Sequence, residues 1–251
     1  FHASNARRRV IIGPVRSGKS VGCCAEIFRR ICEQRPDEQG FRRQRWLVSR
    51  AVYSELEQTT FRTWKMWFGA LGIRKGSAPF SFEMVFPHPS QDGTRVEAEL
   101  NFIALAGVED IKRMLSLDLT SAWLNEMREL ELEVVTTVDD RLGQYPAKAQ
   151  GGPSWYGLIC DTNPPDTESW LYAAEQEEQH ANPEKWRDWE LYRQPGGLVK
   201  INGRWIANPD AENLSNLNDP NYYVNNLSGR SEDHIRVYYG GRYGFVGSGA
   251  Q

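Results

Sequence analysis

Gly13-Pro14-Val15-Arg16-Ser17-Gly18-Lys19-Ser20 is the stretch on which the reading of this chain turns. Its spacing is G-x-x-x-x-G-K-S. Gly13 and Gly18 let the backbone turn so that successive N–H groups face one point, and a helix starting at the end of the turn adds the positive end of its dipole. Lys19 at the helix entrance reaches an anion held there, and Ser20 offers a hydroxyl to a divalent cation. A loop of this kind cradles the phosphates of ATP with Mg2+. The reading requires a strand before the loop and a helix after it. Both are predicted: Arg9-Val10-Ile11-Ile12 is a short apolar run, and Val21, Cys24, Ala25, Phe28, Ile31 and Cys32 recur at three- and four-residue steps until Pro36. A glycine turn with an incidental lysine does not account for that context.

Outward from the loop, Arg45–Arg50 reads as a second strand, and residues 53–70 as a helix whose Trp64, Trp67, Phe68 and Leu71 form an aromatic stripe for core packing. Phe82–Phe86 and Val96–Phe102 alternate around Asp92-Gly93, the pattern of an antiparallel hairpin with one wet face. Ser121-Ala122-Trp123-Leu124 is a buried strand leading into Asn125-Glu126 and an acidic, helical stretch to Asp140. Tyr156–Cys160 is a further buried strand, ending at Asp161-Thr162-Asn163-Pro164-Pro165. Strands alternating with helices predict an α/β fold, a mostly parallel central sheet with helices on both faces. With the loop, this is the P-loop NTPase class. The expected division is an ATPase core over 1–165, a small C-terminal lid subdomain over 166–240, rich in Trp, Tyr, Asn and Gly, and a flexible linker over 241–251.

Composition narrows the classes. The 251 residues are 40% hydrophobic and 25% charged, with net charge −3, as in a globular chain able to bury a core. No apolar run approaches the ~18 residues of a membrane span, and residues 1–7 lack the apolar core of a signal peptide. The four cysteines form no CxxC pair and the four histidines are scattered, so neither a zinc site nor a disulfide framework is expected; Cys24 and Cys32 read as small core residues. Residues 1–50 hold twelve Lys and Arg against four Asp and Glu, leaving the remainder acidic. The clusters Arg7-Arg8-Arg9, Arg29-Arg30 and Arg42-Arg43-Gln44-Arg45 suit either a phosphate-handling or duplex-facing surface, or plain solvated faces without interleaved aromatics.

Hydrolysis needs a carboxylate that orients water. Glu126 ends a buried strand where Asp-Glu is usual, and Asn125 stands in the Asp position, able to hydrogen-bond a metal-bound water without supplying charge. Glu126 is therefore the candidate catalytic base, Ser20 the Mg2+ ligand and Asn125 its outer partner; a simple helix-start charge is the competing reading for Glu126. Thr162-Asn163 lies at a strand's C-terminal end, where an open α/β sheet faces its nucleotide, although an Asn-Pro turn has the same spacing. An arginine usually offsets charge on the transferred phosphoryl group. Arg16, Arg113 and Arg141 are the candidates, and spacing does not rank them.

With these elements in order, the chain resembles the ATPase domain of the large terminase subunit of tailed bacteriophages. The likeness runs through 13–20, Arg50 with Tyr53–Thr60, Trp64–Phe68, Ser116–Glu129, Arg141–Pro146 and Asp161–Pro165. Many ATPases share the loop; Ser116–Glu129 and Asp161–Pro165 are more particular. The resemblance implies a Mg2+-dependent ATPase motor that drives double-stranded DNA into a procapsid. It implies a homo-oligomeric ring at the portal vertex in the host cytoplasm, with the portal protein and small terminase subunit as partners and no membrane; a monomer is compatible with the isolated domain. It also implies Glu126 as the catalytic carboxylate, Thr162-Asn163 as the coupling motif, and an arginine finger from within the loop (Arg16) or from a neighbouring subunit (Arg113). A nuclease domain usually follows in this family; nothing after the Gly-rich tail matches one, so DNA cleavage is not expected of this fragment. Two other classes stay open: a helicase or recombinase-type ATPase on single strands, and a nucleotide-gated DNA-binding assembly module with little turnover, for which Asn125 leaves room.

Overall fold

The computed structural model describes residues 1–178 and 183–245. Eight strands form one sheet: β1 (Arg8–Ile12), β2 (Phe41–Arg50), β3 (Gly72–Lys75), β4 (Phe80–Pro87), β5 (Arg95–Ala104), β6 (Ser121–Asn125), β7 (Leu158–Thr162) and β8 (Trp189–Arg193). Their spatial order is β3-β4-β5-β2-β6-β7-β1-β8. The sheet is mixed and mostly parallel, with β2 running parallel to both β5 and β6, and β3 and β4 added antiparallel at one edge. β6 and β7 are buried along their whole length, as strands covered on both faces are. β4 instead buries Phe80, Phe82, Met84 and Phe86 and turns Glu83, Val85 and Pro87 outward, the one-sided hairpin its alternation predicts. β9 (Leu198–Ile201) and β10 (Arg204–Ala207) make a separate antiparallel pair.

The chain divides into two compact units, residues 1, 9–19 and 161–251, and residues 2–8 and 20–160. This partition differs from the expected 1–165 and 166–240 division. The phosphate loop falls with the C-terminal segment because backbone bonds tie them: Gln194 N donates to Ile12 O at 2.9 Å, and Val15 N donates to Tyr238 O at 2.9 Å. The first unit has its own small core of Leu198, Tyr223, Ile235 and Tyr239, against which Val15 of the loop packs. Arg193 and Glu175 pair there, 2.6 Å apart, with the Arg193 guanidinium lying on the Tyr243 ring. Burial outweighs the pairing in both titrations, pushing the Glu175 carboxyl up and the Arg193 guanidinium down. Residues 246–251 of the expected linker lie outside the described residues.

In the second unit, helix α1 (Lys19–Glu33) follows the loop. Its buried stripe is Cys23, Cys24, Ile27 and Ile31, while Ala25 is exposed and Cys32 only half-buried, so the helix sits rotated from the expected stripe. The rotation brings Glu26 fully inside, where Arg30 and Arg29 hold it at 2.8 and 2.7 Å. The run from Tyr53 to Leu71 is helical throughout, with a π-helical turn over Leu56–Phe61. Trp64 is fully buried against Phe68, whereas Trp67 is 57% exposed. Trp67 lies at the margin of the stripe, two residues before the helix tightens at Gly69–Leu71. Trp64→Ala is expected to destabilise the protein by about 3–5 kcal/mol, read by urea denaturation, because it empties a large site among Phe68 and Phe82.

The arginine clusters of the second unit are matched by acids. Arg8 reaches Asp139 at 2.5 Å, Arg42 reaches Asp92 at 2.7 Å, Arg43 reaches Glu97 at 3.0 Å and also Asp37, and Arg45 reaches Glu99 at 2.7 Å. The sequence-local basic excess is thus largely paired with distant carboxylates, which favours the solvated-face reading over a displayed basic surface. Among the described residues no helix is long and apolar enough to cross a membrane.

Candidate nucleotide site

In the first unit, β1 delivers the chain into the loop. Gly18 has φ +87°, a left-handed conformation that glycine adopts without cost. Arg16 takes the same region at φ +60° despite its side chain. Gly13 is needed for a different reason than turning. A Cβ there would lie 2.5 Å from Gln194 Oε1 and 2.9 Å from Gln194 Cβ, so the position is glycine for space. Gly13→Ala is expected to cost about 1–3 kcal/mol by overpacking, measured by denaturation, with a weaker nucleotide affinity in parallel.

Lys19 is buried, and its Nζ donates to Pro14 O at 2.7 Å, Gly13 O at 3.1 Å and Asn163 Oδ1 at 3.1 Å. All three acceptors are neutral. A phosphate oxygen carries charge and makes the stronger partner for an ammonium. Thr162 is fully buried at the end of β7, and its carbonyl accepts from Gly13 N at 3.2 Å. β7 continues through Asp161 and Thr162, two residues beyond the predicted strand end, and the Thr162 carbonyl there still accepts from Gly13 N. The structure thus brings Lys19, Asn163 and the loop carbonyls together. Arg16 sits on the rim: its guanidinium lies 4.5 Å over the Tyr222 ring, and its carbonyl accepts from Asn213 Nδ2 at 2.9 Å.

Several residues of this network carry no signal in the sequence. Tyr223 OH donates to Val15 O at 2.5 Å, and Ser17 bonds Gln194 at 2.6 Å. Each lies more than 170 positions from its loop partner, so no local pattern announces it.

In the second unit, Ser20 Oγ accepts from Asn125 Nδ2 at 3.3 Å. Asn125 is buried at the end of β6, and its Oδ1 accepts from Thr60 Oγ1 at 2.7 Å. Thr60 is itself buried in the π-helical turn, a placement the sequence reading did not single out. An aspartate here would accept from both hydroxyls; Asn125 accepts from Thr60 and gives a hydrogen to Ser20. Mg2+ takes oxygen ligands, retains waters and needs only one or two protein groups when phosphates supply the rest. Ser20 Oγ supplies one such oxygen, and neutral Asn125 adds no charge beside it. The donor set therefore fits an ion shared with phosphate and water, not an all-protein cage.

Glu126 has φ +53° and ψ +51°, left-handed for a residue with a side chain, immediately before the single 3-10 turn Met127–Glu129. Such a conformation costs about 1–2 kcal/mol and is concentrated at functional sites. Its side chain is 16% exposed, with Arg128 Nε 3.7 Å from Oε2. The next α-helix begins only at Leu132, so the helix start that Glu126 faces is a single 3-10 turn with a short dipole. Arg50, at the end of β2, reaches Glu55 at 2.7 Å, Thr59 at 2.9 Å and Glu129 at 3.4 Å. Arg113 ends the 3-10 helix Val108–Arg113, and its side chain lies outside the described residues. Arg141 follows the helix Leu132–Asp139, its amide donating to Val138 O at 3.0 Å.

A mostly parallel α/β sheet whose first strand runs through a G-x-x-x-x-G-K-S loop into a helix defines a P-loop NTPase fold. No family model matches the chain, and no curated protein does. Solved structures do. The large terminase of a thermophilic bacteriophage matches with a TM-score of 0.64 at 10% identity, over 98% of this chain and 50% of that one. The ADP complex of the same phage's large terminase matches with a TM-score of 0.61 at 11% identity, over 93% and 47%. The ATPase domain of the Thermus phage P74-26 large terminase, in an arginine-to-alanine mutant, matches with a TM-score of 0.56 at 15% identity, over 96% and 91%. The chain has the fold of the ATPase domain of phage large terminases, and it spans about half the length of the thermophilic-phage protein.

Proposed function

We propose that this chain is an ATP-hydrolysing motor domain that drives double-stranded viral DNA into a procapsid, acting in a homo-oligomeric ring with the portal protein and small terminase subunit as partners. The observation that carries the reading is the buried Lys19 ammonium, poised on loop carbonyls and Asn163 in a chain of terminase ATPase fold. The ADP complex of the thermophilic-phage large terminase supports a nucleotide on this fold.

In this reading the loop amides from Gly13 to Ser20 and the Lys19 ammonium bind the β- and γ-phosphates. Ser20 holds Mg2+, with Asn125 orienting the Ser20 hydroxyl. The ion, when bound, neutralises charge between phosphate oxygens. Glu126 orients the attacking water and accepts its proton. Thr162-Asn163 senses the γ-phosphate through Lys19, to which Asn163 is bonded. Arg16 is the arginine candidate within the loop and Arg113 the candidate from a neighbouring subunit.

The test is phosphate release by concentrated protein with Mg2+ or EDTA, with and without duplex DNA. Mg2+-dependent turnover stimulated by duplex supports the motor; stimulation by single strands points to a helicase-type ATPase. Asn125 favours one alternative, a nucleotide-gated assembly module. Tight ATP binding with turnover at the buffer rate would replace the motor with that reading.

A further inference from the structure

We infer that Gln194 is a positioning residue of the phosphate loop, linking the state of Lys19 to the segment that carries Glu212 and Asn213. The inference rests on the reading that this loop holds a nucleotide.

Hydrogen-bond polarity carries the argument. Gln194 Nε2 lies 2.7 Å from Glu212 Oε2 and 3.1 Å from Ser17 O. A carboxylate and a carbonyl only accept, so the amide nitrogen faces both and the orientation of the carboxamide is fixed. Gln194 Oε1 then faces Ser17 Oγ at 2.6 Å, and the Ser17 hydroxyl must donate to it. Ser17 Oγ also lies 2.8 Å from Pro14 O. A hydroxyl has one hydrogen, so the two acceptors compete for it.

Lys19 decides the competition. Its Nζ already donates to one lone pair of Pro14 O at 2.7 Å, so that carbonyl is the weaker claimant and the Ser17 hydrogen goes to Gln194 Oε1. When a phosphate draws the ammonium away, Pro14 O loses that donor, and the Ser17 hydroxyl turns toward it. Gln194 Oε1 then loses its hydrogen. Ser17 is only 4% exposed, so water does not readily replace either partner. The carboxamide also fills the space beside Gly13, which binds it sterically to the same loop. Asn213, next to Glu212, holds the carbonyl of Arg16. The segment therefore grips the loop at two points and receives its state through one hydroxyl.

The experiment titrates the full chain with a fluorescent ATP analogue and follows unfolding temperature as a fold control. Gln194→Leu is expected to weaken binding about tenfold, because the Nε2 bonds to Ser17 O and Glu212 that hold the loop in both states are lost, which outweighs the Oε1 bond that binding itself breaks. Ser17→Ala is expected to weaken it similarly, and the double variant is expected to bind no worse than the weaker single one. Gln194→Glu sets two carboxylates together and should bind still more weakly; Glu212→Gln in that background should recover part of the loss. Should Gln194→Leu fail to fold, the Gln194→Glu pair decides the matter. Binding by Gln194→Leu within twofold of the wild type overturns the inference, and so do additive losses or absent recovery. If the wild type itself does not bind the analogue, the nucleotide reading falls instead.

Discussion

Replacing Lys19 with Ala is expected to abolish ATP turnover and to weaken ATP binding by about a hundredfold or more. A charge-assisted hydrogen bond is worth about 1.5–3 kcal/mol, and an ammonium between two phosphates makes at least two, so about 3 kcal/mol or a hundredfold is a lower bound. A second effect adds to it. Lys19 Nζ supplies hydrogens to Pro14 O, Gly13 O and Asn163 Oδ1, and all three lose a donor in the variant. The loop then relaxes toward other partners before any ligand arrives. Lys19→Arg is not a rescue, because a planar fork cannot occupy the compact pocket of a point charge. Calorimetric titration with a non-hydrolysable ATP analogue, beside a phosphate-release assay, reads both effects. Wild-type affinity in Lys19→Ala would remove the loop from the nucleotide site.

Glu126→Gln is expected to lower kcat about a thousandfold while leaving nucleotide affinity within about twofold. The amide keeps the size of the side chain and removes only the base. Its conformation supplies a second, independent reading. Glu126 holds φ +53° at the end of β6, where only glycine sits without strain. Glu126→Gly should therefore raise stability by about 1 kcal/mol while also abolishing turnover. Activity and stability moving in opposite directions is what strain held for chemistry produces. Normal turnover in Glu126→Gln would sink the assignment of the base.

What the sequence disclosed and what it hid separate along physical lines. The loop, β1, α1, the β4–β5 hairpin and β6 were legible because their signals are periodicity and turn chemistry within a few residues. The rotation of α1 that exposes Ala25 was not legible, because it depends on Glu26 finding two arginines inside. Trp67 looked like core because a stripe has no sharp edge in sequence. β8 has mixed exposure at the sheet's edge, so its residues show neither a buried run nor strict alternation. At the site, residue types were readable and their geometry was not. Nothing local says that Asn125 is held by Thr60, or that Glu126 is left-handed.

The fastening of the loop also sets an order in time. Its residues 13–18 are made before Gln194, Asn213, Tyr223 and the backbone of Tyr238 that hold them, which come some 180 to 220 residues later. Contacts so distant along the chain form late, since their closure entropy must be met first. A nascent chain ending near Pro165 would carry every letter of the phosphate motif without its finished shape. In this protein the loop takes its finished shape only once that later part of the chain, in which no nucleotide motif is written, has been made.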